Sequence, residues 1–258
     1  MAKTIDLTNF CDERLKLSEI KDFPGAWNGL QIENDGEVKK IGAAVDAGME
    51  PFKLASQRGV DFLIVHHGLF WTPPTPLIGA NYNKIKHCLS NNLAVYGAHL
   101  PLDCHPSIGN NAIIARKLSL EPSSTFLPFE GNDIGLIAEC RFPREDLHSK
   151  LHNLFPLGIK AMEFGSATPS KVAILSGSGQ SAFNEILDAG SDTLVTGELK
   201  QQHFNLAQEL KLNLYACGHY ATEVFGVDAL ASEVAGQFGL PYEFVETHCP
   251  PFKSSIAI

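Results

Sequence analysis

The residues best equipped for chemistry gather in four short stretches of the chain. In FLIVHHGLFW (62–71), His66 and His67 close an apolar run just before Gly68. LAVYGAHLPLD (93–103) ends in His99-x-x-x-Asp103, TGELKQQH (196–203) offers Glu198, and CGHYATE (217–223) ends in His219-x-x-x-Glu223. Imidazoles and carboxylates with no cysteine among them suit Zn, Mn, Fe, Co or Ni, and a carboxylate can bridge two such ions. Neighbouring side chains on a strand face opposite ways, so His66 and His67 are expected to share a site only where the strand gives way to loop at Gly68. Pro101 implies a loop for the first His-x-x-x-carboxylate pair. Thr222 is expected to be the N-cap of a helix that begins at Glu223, where a carboxylate also gains from the helix dipole.

Other polar residues have plainer readings. His87, His105, His148, His152 and His248 fall in loops or polar helices and read as ordinary hydrogen-bonded histidines. His203 is close to Glu198 in sequence and is expected to support it, while Asp46 ends a strand and reads as polar lining. The amides of SGSGQS (176–181) could face an anion at a helix start. Its counterpart in the first half, VDAGME, favours a structural strand-to-helix turn instead.

These residues must be positioned by an α/β framework. KIGAAVDA (40–47), VDFLIVHH (60–67) and LAVYGAHL (93–100) read as strands, with helix-spaced MEPFKLASQRG (49–59) and NYNKIKHCLSNN (81–92) between them. The pattern returns with strands KVAILSGSG (171–179), DTLVTGE (192–198) and LNLYACGH (212–219), and helices SAFNEILDAG (181–190), HFNLAQELK (203–211) and TEVFGVDALASEVAGQFG (222–239). Such alternation predicts mostly parallel sheets with flanking helices, whose sites form beyond the carboxyl ends of the strands.

The second set of segments repeats the first. Sliding residues 41–61 onto 172–192 without a gap pairs Gly48 with Gly179, Phe52 with Phe183, Gly59 with Gly190 and Asp61 with Asp192. The reading is an internal duplication, with one α/β domain at 1–125 and a second at 126–258. Residues 120–133, LEPSSTFLPFEGND, have the Ser/Pro/Gly composition of a linker between them.

Composition narrows the function. With 258 residues, 44% hydrophobic and a net charge of −9, the chain can bury a large core but lacks the basic footprint of a nucleic-acid binder. No signal peptide or membrane span is read, and six scattered cysteines without a CxxC pair point to reduced thiols and a cytoplasmic location.

Five stretches then carry a resemblance to a known family: WNGLQI (27–32), VHHGLFW (65–71), GAHLPLDCHPSIGNNAIIARKL (97–118), TGELKQQH (196–203) and CGHYATEVFGVDAL (217–230). They resemble the YbgI-like dinuclear-metal-centre proteins, commonly labelled GTP cyclohydrolase I type 2 homologues and related to NGG-interacting factor three. The resemblance implies two similar α/β domains and a toroidal homohexamer with its metal sites facing an internal cavity. It also implies two divalent transition-metal ions per subunit, held by His66, His67, Asp103, His219 and Glu223, with a carboxylate bridging them. His99 matches a histidine beside that site. Tyr220 departs from the pattern, since many relatives have a second histidine there, and the inserted domain of longer members is missing. The implied function is metal-dependent hydrolysis of a small molecule, with His99 or Glu198 shuttling protons. The competing expectation is a non-catalytic metal-binding or scaffold protein. No Walker A loop accompanies the GTP cyclohydrolase label.

Overall fold

A computed structural model describes residues 1–71, 73–180 and 182–249. Ser181, which falls in two of the segments read above, lies outside them. In chain order the first elements are β1 (Ala2–Lys3), α1 (Thr4–Arg14), β2 (Gly29–Ile32), β3 (Glu37–Val38), β4 (Ile41–Asp46), α2 (Met49–Gln57), β5 (Phe62–His67), α3 (Gly79–Ser90), β6 (Ala94–Gly97) and α4 (Leu100–Asp103). There follow α5 (Asn110–Leu118), β7 (Glu121–Phe129), β8 (Asn132–Glu139), α6 (Arg144–Leu154), β9 (Lys160–Glu163), β10 (Lys171–Ser178), α7 (Phe183–Asp188) and β11 (Thr193–Glu198). The chain continues through α8 (His203–Leu210), β12 (Asn213–Ala216), α9 (His219–Phe238) and β13 (Tyr242–Phe244).

One compact unit comprises Met1–Ile108 with Val224–Thr247. Its five-stranded sheet has the order β13-β4-β5-β6-β2, parallel except for β2. The run FLIV of β5 is buried on both faces, as expected of a central parallel strand. Phe62 and Ile64 enter one core with Leu7 of α1, Tyr96, and Val227 and Val234 of α9. Leu63 and Val65 enter the opposite core with Phe52 and Ala55 of α2 and Cys88 of α3. Period-2 alternation on one strand thus assigns helices to both faces of the sheet.

The other unit is built on Gly109–Glu223. Its six strands run β7-β8-β10-β11-β12-β9, with β10, β11 and β12 mutually parallel and the flanking strands antiparallel. Ala173, Leu175, Leu194 and Leu214 pack with Ile186 of α7 and Ala207 of α8. The order β10-β11-β12-β9 matches β4-β5-β6-β2 of the first unit, an agreement consistent with an internal duplication. Gly59 and Gly190, paired by the sequence repeat, both sit in left-handed turns just after a helix.

Two sequence expectations need correction. Residues 120–133 are not a linker: β7 and β8 form a hairpin at the edge of the second sheet. Ser, Thr and Pro fit there because most of β7 faces solvent, and an edge strand tolerates proline. Glu130 and Gly131, both at positive φ, make the two-residue turn such hairpins favour. The compact units are also not continuous halves of the chain, since most of α9 belongs to the first unit and β13 adds a parallel strand beside β4.

Among the described residues, no helix is long and apolar enough to cross a membrane. Cys11, Cys88, Cys140 and Cys217 are free, buried thiols. Burial pushes the Cys88 thiol up to about 12.

Candidate metal centre

In the first unit, strand ends bring three imidazoles together. His66 and His67 end β5, and His99 follows β6 at the head of α4. One ligand-type atom from each of these histidines lies within 4.8 Å of the others. The ring centroids of His66 and His67 are 4.9 Å apart, those of His66 and His99 4.9 Å, and those of His67 and His99 5.7 Å.

Each ring is held from behind through Nδ1. His66 Nδ1 donates to the Ala98 carbonyl at 2.8 Å, His67 Nδ1 to Asp46 Oδ1 at 2.8 Å, and His99 Nδ1 to Asp22 Oδ1 at 2.9 Å. The acceptors fix the tautomers and leave Nε2 of each ring as the lone-pair nitrogen, the arrangement usual for metal-ligating histidines. His66 is fully buried, and its Nε2 faces Asp103 Oδ2 at 3.4 Å. A lone pair facing a carboxylate in a buried setting calls for a proton or a metal cation between them.

The support around these rings is extensive. Asp22, its side chain 4% exposed, also accepts from Asn28 Nδ2, Leu100 N and Phe23 N, while Asn28 Oδ1 accepts from His99 N. Burial pushes the Asp22 carboxyl up, but hydrogen bonds from His99, Asn28 and Phe23 outweigh it and hold the group below its ordinary range. Gly68 leaves room for the Gln31 amide, which a Cβ would strike, and Gln31 Oε1 accepts from Leu69 N at 2.6 Å.

In the second unit, a single imidazole sits between two carboxylates. His219 opens α9, with its Nε2 3.2 Å from Glu223 Oε1 one turn later. Its Nδ1 lies 3.4 Å from Oε1 of Glu198, the last residue of β11. The hydrogen bond to Glu223, opposed by burial and reinforced by the charges of Glu223 and Glu198, raises the imidazole to about 9. Gly177, at φ +66°, stands where any Cβ would fall on the Glu223 carboxylate. Thr222 ties the corner together: its Oγ1 accepts from Gly177 N at 3.0 Å and reaches the Gly218 and His219 carbonyls.

The residues singled out from sequence lie at strand ends in each unit. His66, His67, His99 and Asp103 lie at the ends of β5 and β6, and His219, Glu223 and Glu198 lie at the ends of β11 and β12. Local details differ from expectation. The pair His66-His67 does not need loop at Gly68, because β5 runs through His67 and each ring is drawn to a neighbouring strand end. Leu100–Asp103 is a helical turn rather than a loop, since proline is tolerated in the first turn of a helix. Thr222 lies within α9 rather than capping it, which makes His219 and Glu223 an i,i+4 helical pair. His203, expected to support Glu198, is instead buried against Phe183 and accepts from Lys200 N.

For three of the other histidines the plainer reading agrees with the contacts made. His87 meets Ser56, His148 meets Glu163, and His105 accepts from Ser107 N and Ile108 N. Sequence reasoning missed Asp22 and Gln31, and it saw Asp46 only as lining. Asn28 and Gln31 carried one signal, their place in WNGLQI, whereas Asp22 carried none.

Comparison with known proteins agrees with this architecture. A protein of Deinococcus radiodurans named GTP cyclohydrolase 1 type 2 homolog is 37% identical over 246 residues, covering 93% of this chain and 91% of its own. One of the same name from Archaeoglobus fulgidus is 37% identical over 241 residues, covering 93% and 96%. Among solved structures, protein ybgI, described as of unknown function, superposes with a TM-score of 0.88 at 32% identity, covering 96% and 99%. The crystal structure of TTHA1606 from Thermus thermophilus gives a TM-score of 0.81 at 36% identity, covering 95% and 98%. With residues 2–251 matched, the chain belongs to the Duf34/NIF3 (NGG1p interacting factor 3) family.

Proposed function

We propose that this protein binds two divalent transition-metal ions per chain and is a metal-dependent hydrolase of a small molecule. The ligands are His66, His67 and Asp103 from the first unit and His219 and Glu223 from the second, as the resemblance implies. The observation that carries the reading is the His66–His67 pair, each ring anchored through Nδ1 so that Nε2 is the nitrogen turned to an ion, with His99 beside them. The donor set fits such ions: imidazole nitrogens, buried or half-buried carboxylates, and no thiolate, a mixture open to Zn, Fe, Mn, Ni or Co. When bound, the ions supply Lewis acidity for attack of water on the substrate.

The chain's own residues have distinct tasks. Asp22 keeps a proton on His99 Nδ1, so His99 accepts or gives a proton at Nε2. Glu198, half-exposed at the end of β11, holds His219 through Nδ1 and offers its outer face to a second proton. The name shared by the relatives makes GTP the first substrate to assay. The same reading has six copies assembled in a toroid in the cytoplasm, an assembly that native mass spectrometry measures directly.

Elemental analysis of purified protein tests the core of the proposal. Close to two transition-metal ions per chain are expected, and His66→Ala/His219→Ala is expected to lose them. A metal content near zero that soaking does not restore would refute it. Metal-loaded protein whose turnover of nucleotides, phosphoesters and peptides never exceeds that of Glu223→Gln would leave a non-catalytic metal-binding protein.

A further inference from the structure

A cavity of about 340 Å³ opens in the first unit and is joined to two of the three imidazoles, those of His67 and His99, by one wall residue, Trp71. The loop after β5 supplies Leu69, Trp71 and Leu77 to its wall. Asn81, Lys84 and Ile85, spaced i, i+3 and i+4 on α3, supply the facing side. Trp71 belongs to both places. Its indole meets the His99 ring edge-on at 5.1 Å and lies 6.5 Å from the His67 ring. Its Nε1 donates to the Gly68 carbonyl at 3.0 Å, which fixes the plane of the ring.

The lining dictates a ligand class. A mostly apolar wall with a rigid indole favours a flat aromatic ring, which gains both area burial and ring–ring contact. Lys84 Nζ stands in that wall with a neutral carbonyl, Ala47 O, at 3.5 Å, so an anionic substituent would find a cation with a weak hydrogen bond to exchange. An apolar cavity of a few hundred Å³ with a small number of placed polar groups is the usual form of a small-molecule site. We propose that this cavity is a binding subsite for a planar aromatic group bearing a negative charge, with Trp71 as the wall shared with His67 and His99. As part of a substrate site it rests on the hydrolase reading above, whereas as a binding site it stands on its own residues.

Tryptophan emission tests it directly, because the chain has two tryptophans and Trp27→Phe leaves Trp71 as the sole reporter. In the holoprotein of that variant, 2-naphthoate is expected to change Trp71 emission saturably, and cyclohexanecarboxylate is not. Lys84→Met is expected to weaken naphthoate binding about tenfold, the loss of one charge-assisted bond. Leu77→Asp is expected to abolish it. Leu77 is 55% exposed, so that variant keeps its fold, and circular dichroism checks both. No saturable change in folded protein would overturn the proposal, as would binding that neither variant weakens or equal binding of the non-aromatic acid. His66→Ala/His219→Ala separates the two readings: naphthoate binding is expected to persist while metal is lost. A protein that binds naphthoate as described yet never takes up metal would keep the subsite and sink the hydrolase.

Discussion

Asp22→Asn is the sharpest probe of how the first unit holds its imidazoles. The substitution keeps shape and volume and removes only the charge and half of the acceptor capacity. In the native site Oδ1 accepts from His99 Nδ1 at 2.9 Å and Phe23 N at 2.6 Å, and Oδ2 accepts from Asn28 Nδ2 at 2.8 Å and Leu100 N at 3.0 Å. An amide must set its NH2 against one of these pairs of donors. Backbone N–H groups cannot become acceptors, but an imidazole can, by moving its proton. The NH2 is therefore expected to face His99, whose proton shifts from Nδ1 to Nε2. A hydrogen bond to a charged acceptor is worth about 1.5–3 kcal/mol, so the ratio of the two His99 tautomers should fall about 10- to 100-fold. Nitrogen-15 shifts of the imidazole read the tautomer, and denaturant unfolding should show a loss of about 1–3 kcal/mol. An Asp22→Asn variant that keeps the proton on Nδ1 and unfolds at the native denaturant concentration would refute the role given to Asp22.

Two further perturbations address the second donor group and the sheet edge. Gly177→Ala places a methyl on the Glu223 carboxylate at a φ of +66°, and the left-handed backbone alone costs about 1–2 kcal/mol. Urea unfolding should show at least that loss together with reduced metal uptake, and a change below about 0.5 kcal/mol would contradict the close packing described. Glu243 accepts from Lys40 Nζ at 2.6 Å and Arg58 Nη1 at 3.0 Å, and the Lys40 bond, opposed by burial, holds its carboxyl below the ordinary range. A depressed carboxyl stabilises the fold above its unfolded pKa, and that contribution is lost as pH falls through the folded value. Glu243→Gln should thus cost about 0.5–1 kcal/mol at pH 7, with the gap to wild type closing in acid. A gap of equal size at both pH values would show that charge is not its source.

What could be read from the sequence was set by how local the determining interactions are. FLIV announced β5 because a strand buried on both faces must be apolar throughout, and the repeat of strands and helices announced the parallel sheets. The hairpin of β7 and β8 was hidden because an exposed edge strand has the composition of a linker. The start of α9 falls at His219, ahead of the expected cap, since Thr222 has the chemistry of a cap but spends its hydroxyl on the Gly218 and His219 carbonyls. Donor-bearing motifs stood out because their imidazoles and carboxylates break apolar runs. Asp22 had no such contrast, and it reaches His99 from 77 positions away.

The two donor groups also solve one electrostatic problem in different ways. In the first unit, acceptors behind the imidazoles hold each ring through Nδ1, and the negative charge of Asp103 is brought to the Nε2 side of His66. In the second, one imidazole has carboxylates on both of its nitrogens, so the group takes up a proton readily and His219 rises to about 9. A buried carboxylate such as Glu223 is costly unless a positive charge accompanies it, and here either His219 or a cation can provide that charge. Four strands of each sheet correspond in order, yet the donors do not match one to one: a His pair at the end of β5 is answered by Glu198 at the end of β11. Duplication can account for where the donors are placed, at matching strand ends. Which donors they are must reflect what each group has to hold.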